Sequence, residues 1–160
     1  MYAFTHTREF YGEFCEQIPN ATLELDRDGN GRPDGWLGCA FAPEGSQHSG
    51  KRAMTIVGSS ARTVLYGPEQ GRNRLRLAAR HAGDKPATLT LTVCATLVGD
   101  DFVDRPETPL FRKKYTLTND WQPVAAEVEI APQSDRLSID VAGGPGNVYL
   151  SEPSFRRVAN

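Results

Sequence analysis

From Ala87 to Val98 the chain alternates without a break. Leu89, Leu91, Val93, Ala95 and Leu97 fall on one side, and Thr88, Thr90, Thr92, Cys94 and Thr96 on the other. A period of two sends successive side chains to opposite faces of an extended strand. Threonine, branched at Cβ, suits the outward positions of such a pleat. A chain carrying this segment must place it in a sheet with one face against a core. The segment before it obeys the same rule. Over residues 74–80, Leu75, Leu77 and Ala79 share one face and Arg74, Arg76 and Arg80 the other, and Gly83-Asp84-Lys85-Pro86 supplies the turn.

Further short alternating runs flank this pair. Residues 8–16, 21–25, 36–41 and 52–57 read as strands before it, and 111–118, 124–130, 136–141 and 148–155 after it. In 124–130, Val124, Ala126, Val128 and Ile130 point inward while Glu127 and Glu129 point out. Fifteen glycines and eleven prolines punctuate these runs, and no stretch keeps helical periodicity. The expectation is an all-β fold, a two-sheet antiparallel β-sandwich of about nine strands. No linker or repeat divides the 160 residues, so one domain spans 1–160, long enough to bury roughly two thirds of its unfolded surface.

Composition narrows the function. A net charge of −2 offers no field for nucleic acid or an acidic membrane. No apolar run nears the ~20 residues that span a bilayer, and the start, Met1-Tyr2-Ala3-Phe4-Thr5-His6, lacks the apolar centre of a secretory signal. Cys15, Cys39 and Cys94 are odd in number and irregular in spacing, which fits buried thiols better than a disulfide or zinc framework. His6, His48 and His81 are not spaced as metal ligands, and no nucleophile elbow, zinc helix or phosphate loop occurs. A non-enzyme is expected.

One loop carries a chemical signature. Asp26, Asp28, Asn30 and Asp34 stand at positions 1, 3, 5 and 9 of a glycine-rich stretch, with Arg32 at position 7 to offer its carbonyl and Gly31 at the turn. Position 12, where an EF-hand carries glutamate, is Leu37. Three carboxylates so close repel unless a cation neutralises them, so the loop is expected to bind Ca²⁺ in a structural role. The plain alternative is a solvated Asp/Asn/Gly turn.

The order of landmarks carries a family resemblance. Gly12-Glu13-Phe14, Pro33-Asp34-Gly35-Trp36, Ser49-Gly50-Lys51-Arg52-Ala53-Met54-Thr55-Ile56 and Leu75-Arg76-Leu77-Ala78-Ala79-Arg80 are followed by Trp121-Gln122-Pro123-Val124 and Val148-Tyr149-Leu150-Ser151-Glu152-Pro153-Ser154-Phe155. The series resembles the β-jelly-roll carbohydrate-binding modules of the family 4, 9 and 22 type, over nearly the whole chain. The resemblance implies jelly-roll topology and glycan binding without cleavage. It also implies a secreted or cell-surface setting and a monomer attached to the catalytic domain of a larger polysaccharide-degrading enzyme. It places both Trp36 and Trp121 in the core. The family's usual calcium site, between an N-terminal glutamate and an aspartate of the last strand, falls on Cys15 and Ser151 here, so that site is expected to be weak or absent, with Glu13, Glu16 and Glu152 as substitutes.

With the tryptophans assigned inward, the expected glycan contacts are Arg74, Arg76 and Arg80, with Tyr66 and Glu127. The guanidinium fork suits hydroxyls and carboxylates, so acidic glycans are among the expected ligands. Phe102 joins Tyr66 as an aromatic in a loop, and Tyr115 and Tyr149 read as core-edge residues. The competing reading of the arginine row is a solvated face paired with Glu127, Glu129 and Asp140 across strands. A non-binding accessory sandwich and a protein–protein adhesion domain of a multidomain surface protein are the alternatives to glycan binding.

Overall fold

A computed structural model describes residues 15–43, 48, 50–84, 86–97, 106–143 and 147–159. Nine strands follow in order: β1 (Cys39–Phe41), β2 (Ala53–Ile56), β3 (Ser60–Tyr66), β4 (Gly71–Ala82), β5 (Ala87–Leu97), β6 (Thr108–Leu117), β7 (Gln122–Ile130), β8 (Ser134–Gly143) and β9 (Asn147–Arg157). They form two antiparallel sheets, one of five strands in the order β1-β2-β9-β4-β7 and one of four in the order β3-β8-β5-β6. No helix among the described residues is long and apolar enough to cross a membrane.

The alternation read from the sequence is what builds the core. Leu75 and Leu77 of β4, Val124, Val128 and Ile130 of β7, and Leu150 and Phe155 of β9 face inward from one sheet. Leu89, Leu91 and Val93 of β5 meet them from the other, with Ile139 and Val141 of β8. Interdigitation of two such faces is the packing mode of a sandwich. Cys39 is buried among these residues, and desolvation pushes its thiol up to about 11. It stays neutral at physiological pH.

Several expectations need correction. Residues 21–25 are not a strand. Asn20 and Leu23 take φ of 56° and 58°, and the Leu23 N–H bonds the Asn20 carbonyl to close a turn. Residues 15 and 16 are also outside any strand, while 8–14 lie outside the described residues. Conversely, β3 was not anticipated, although Ala61, Thr63 and Leu65 alternate inward along it. Phe102 and Glu13 lie outside the described residues.

The stretch before β4 is tied down by polar side chains. Glu16 accepts N–H groups from Gln17, Ile18 and Phe155 at 3.1, 3.1 and 2.6 Å, and the Arg156 Nε at 3.3 Å. Asn73, fully buried, donates to the carbonyls of Glu69 and Gly71 and accepts from Gln17 Nε2 at 2.7 Å. Buried polar groups persist when matched in this way.

Gly38 marks where the chain passes between the sheets. Leu37 exchanges backbone hydrogen bonds with Arg62 of β3, and Cys39 begins β1 in the other sheet. Gly38 has φ of 75°, and a Cβ there would stand 2.0 Å from the Ser60 carbonyl oxygen. Gly38→Ala combines left-handed strain with a backbone clash and is expected to cost about 3 kcal/mol in urea unfolding.

Candidate functional site: the outer face of the five-stranded sheet

Parity places the site. The inward residues of β7 are even-numbered, so Pro123, Ala125, Glu127 and Glu129 point out, and Trp121, just before the strand, shares their face. On β9, Val148 and Leu150 are inward, so Tyr149 points out; on β4 the outward row is Arg72, Arg74, Arg76, Ala78 and Arg80. Strand order then brings these rows together, because β4 lies between β9 and β7. Arg80 registers with Tyr149, and Ala78 with Pro123 on one side and Ser151 on the other.

A bulge shapes the middle of this face. Register shifts between Arg76 and Ala78, opposite Ser154 and Ser151, so that Glu152 and Pro153 of β9 together stand opposite Leu77, one residue more than β4 supplies. Glu152 carries the strain, with φ of 51°. Such bulges re-aim side chains, and here the Glu152 carboxylate meets His48 Nδ1 at 2.5 Å. The His48 ring lies 5.0 Å from that of Trp121, tilted by 44°. The Arg80 guanidinium sits over two rings, 5.3 Å from Trp121 and 4.8 Å from Tyr149.

The small side chain of Ala78 leaves room between these groups. A cleft of about 340 Å³ opens there, with Ala78 and Pro123 as an apolar floor and Trp121, His48, Arg76 and Glu152 around it. An aromatic wall beside convergent hydrogen-bonding groups, at a volume in the range of ligand pockets, is what a hydroxylated ring needs.

The expected contacts divide. Trp36 is in the core, 4% exposed, as the resemblance implied. Trp121 is not: it is half-buried on the outer face, outside the core cluster. Arg76 lines the cleft and Arg80 borders it, but Arg74 turns to Glu127, donating from Nη2 at 2.9 Å and from Nε at 3.1 Å. Arg72 also reaches Glu127, at 3.0 Å. The Arg74 hydrogen bond, with Arg72 beside it, holds the Glu127 carboxyl below the ordinary range. Asp140 is not a partner of this row, since it lies on β8 of the other sheet, opposite Arg62 and Thr92.

Tyr66 is separated from the arginine row as well. It ends β3 on the four-stranded sheet, 77% exposed, beside a hollow of about 100 Å³ with Arg62, Glu107 and Arg136. Tyr115 is half-buried, donates its hydroxyl to the Ala125 carbonyl and packs against the core.

The acidic loop has the geometry of a cation cradle. Oxygens of Asp26, Asp28 and Asp34 converge within 4.8 Å of one another. Gly29, Gly31 and Gly35 take φ of 68°, 78° and 83°, which curls the backbone around them. Asp26 accepts the N–H groups of Asn30 and Gly31, and Asp34 that of Arg27. The Asn30 Oδ1 accepts the Arg32 N–H at 2.9 Å. Hard oxygen donors of this kind suit Ca²⁺. At the place of the other calcium site, Ser151 is buried and donates to the Arg52 carbonyl, Glu16 is held by its N–H donors, and Glu152 pairs with His48.

Compared with known proteins, the chain matches no family model and no curated protein. It does match solved structures. The CBM22-1 and GH10 modules of a Clostridium thermocellum endo-1,4-β-D-xylanase, complexed with xylohexaose, superpose with a TM-score of 0.66 at 15% identity, over 89% of this chain and 28% of that one. A CBM22 xylan-binding domain from Paenibacillus barcinonensis gives 0.59 at 16%, over 81% of this chain and 90% of the other. A family 61 module in complex with β-1,4-galactotriose gives 0.58 at 14%, over 89% and 99%. At these identities the likeness is one of fold, and the resemblance read from the sequence is borne out at that level: the chain has the β-sandwich of carbohydrate-binding modules.

Proposed function

We propose that the chain is a non-catalytic carbohydrate-binding module. Its ligand lies across the outer face of the five-stranded sheet, with Trp121 as the stacking wall and Arg76, Arg80 and Glu152 as hydrogen-bonding partners. The observation that carries this reading is the convergence of Trp121, His48, Arg76 and Glu152, drawn from separate parts of the chain, around one cleft bordered by Arg80, on a fold whose solved neighbours hold xylohexaose and galactotriose. Glu152 is the one carboxylate among the described residues lining that cleft, whereas glycoside hydrolysis usually takes two. An extracellular monomer, joined to the catalytic domain of a polysaccharide-degrading enzyme, fits the same reading. Affinity electrophoresis against soluble xylan and galactan tests it: retardation of the folded domain is expected. Silence across a wide glycan panel would leave a non-binding accessory or adhesion domain.

Calcium belongs to stability in this proposal. Asp26, Asp28 and Asp34 would hold the ion, with Asn30 and the Arg32 carbonyl completing the shell, and the loop leads directly to Trp36. Ca²⁺ at about 100 times its Kd would add about 2.7 kcal/mol and raise Tm by roughly 5–10 °C. EDTA is expected to reverse the gain and Asp28→Ala to remove the response. A melting curve indifferent to both would reduce the loop to a turn.

A further inference from the structure

The aromatic cleft does not end at Glu152. A second concavity of about 530 Å³ adjoins it and shares Glu152 and Ser154 as lining residues, so the two run on along β9. The second part is chemically different. Among the described residues it has no aromatic ring in its lining, and its cations are Lys51, Arg52 and Arg156. Arg80 adds another at the far end, over Trp121. Against these cations stand two carboxylates, Glu16 and Glu152, and both are engaged. Glu16 takes N–H donors from the backbone and from Arg156, and Glu152 pairs with His48.

A groove with a surplus of positive charge is notable on a chain whose net charge is −2. On the same face outside the groove, Arg72 and Arg74 both turn to Glu127. Cations gathered in a concavity focus the field there. The Arg52 guanidinium is held over the Phe41 ring at 3.9 Å, which restrains it at the rim. A restrained planar fork binds a carboxylate or sulfate with less loss of side-chain freedom than a mobile one.

We infer that the ligand of this groove is an anionic glycan: one sugar stacks on Trp121, and an adjoining residue presents a uronate carboxylate or a sulfate ester to Lys51 and Arg52. The inference rests on the glycan-binding reading above and names the ligand class for the same face.

The test is calorimetry on the full chain with three oligosaccharides of equal length. These are an oligogalacturonate, its carboxyl-reduced neutral parent and a sulfated form of that parent. An anionic form is expected to bind at least ~10-fold more tightly than the neutral parent in dilute buffer, with the advantage shrinking in high salt. Whichever anionic form binds better identifies the charged group. The double variant Lys51→Gln, Arg52→Gln should erase the advantage, while Trp121→Ala should weaken every form. Equal affinity for charged and neutral forms, unaltered by the double variant, would overturn the anionic inference and leave glycan binding intact. Binding of none of the three, nor of xylan or galactan, would remove the glycan-binding reading and this inference with it.

Discussion

Trp121→Ala is expected to weaken glycan binding by roughly 30- to 150-fold, about 2–3 kcal/mol, while unfolding stability changes by no more than about 1 kcal/mol. The two halves of this result have separate causes. A tryptophan wall supplies a large rigid face at little cost in side-chain entropy, so removing it takes away most of the apolar contact a sugar ring could make. Stability is spared because Trp121 lies outside the core cluster, on the outer face beside His48 and Arg80. Calorimetry gives the first half and urea denaturation the second. A variant that binds normally would move the ligand off this cleft.

Trp36→Ala should do the reverse. Trp36 is 4% exposed and packed in the core with Leu65 and Cys39 as fellow members. Truncating an indole in such a place costs about 3–5 kcal/mol, from lost transfer energy and the cavity left behind. That is a large share of the 5–15 kcal/mol typical of a domain. Among the described residues its Nε1 has no hydrogen-bond partner, so Trp36→Phe removes a donor unsatisfied there along with volume and is expected to cost well under half as much. Urea unfolding curves of the two variants check both figures. Where the Trp36→Ala protein still folds, its affinity for glycan should stay near that of the parent chain.

The contrast between the two tryptophans shows how far the sequence could be read. Period-two alternation located β4, β5, β7, β8 and β9 because each has one apolar face and one polar face. The same parity, carried back three residues from Val124, puts Trp121 outward with Pro123 and Glu127, and between Val148 and Leu150 it puts Tyr149 outward. That signal was present in the residues; the resemblance to a family, in which the matching tryptophan is a core residue, pointed the other way. Pro153 within a strand pattern was a further sign, since proline in a central strand marks a bulge.

Strand order could not be read, because pairing is non-local. Nothing between Ala82 and Asn147 in the chain says that β9 will lie against β4, so that Tyr149 meets Arg80. The same limit explains Asp140 and Tyr66. Asp140 is an outward polar residue on a strand, and Tyr66, expected in a loop, ends β3; the assignment of β8 and β3 to the four-stranded sheet separates both from the arginine row. The turn at 20–23 was missed for a local reason: Asn20 and Leu23 adopt positive φ, a conformation a leucine rarely takes and its neighbours do not announce.

The central claim is that glycan is bound on the outer face of the five-stranded sheet, at Trp121. With two tryptophans in the chain, the protein has two indole N–H resonances, and Trp121→Phe identifies which is which. In a heteronuclear NMR titration with a glycan that retards the domain in affinity electrophoresis, the Trp121 resonance is expected to shift progressively to saturation while that of Trp36 stays in place. A titration that leaves the Trp121 resonance still, and shifts the amides around Tyr66 instead, would contradict the account.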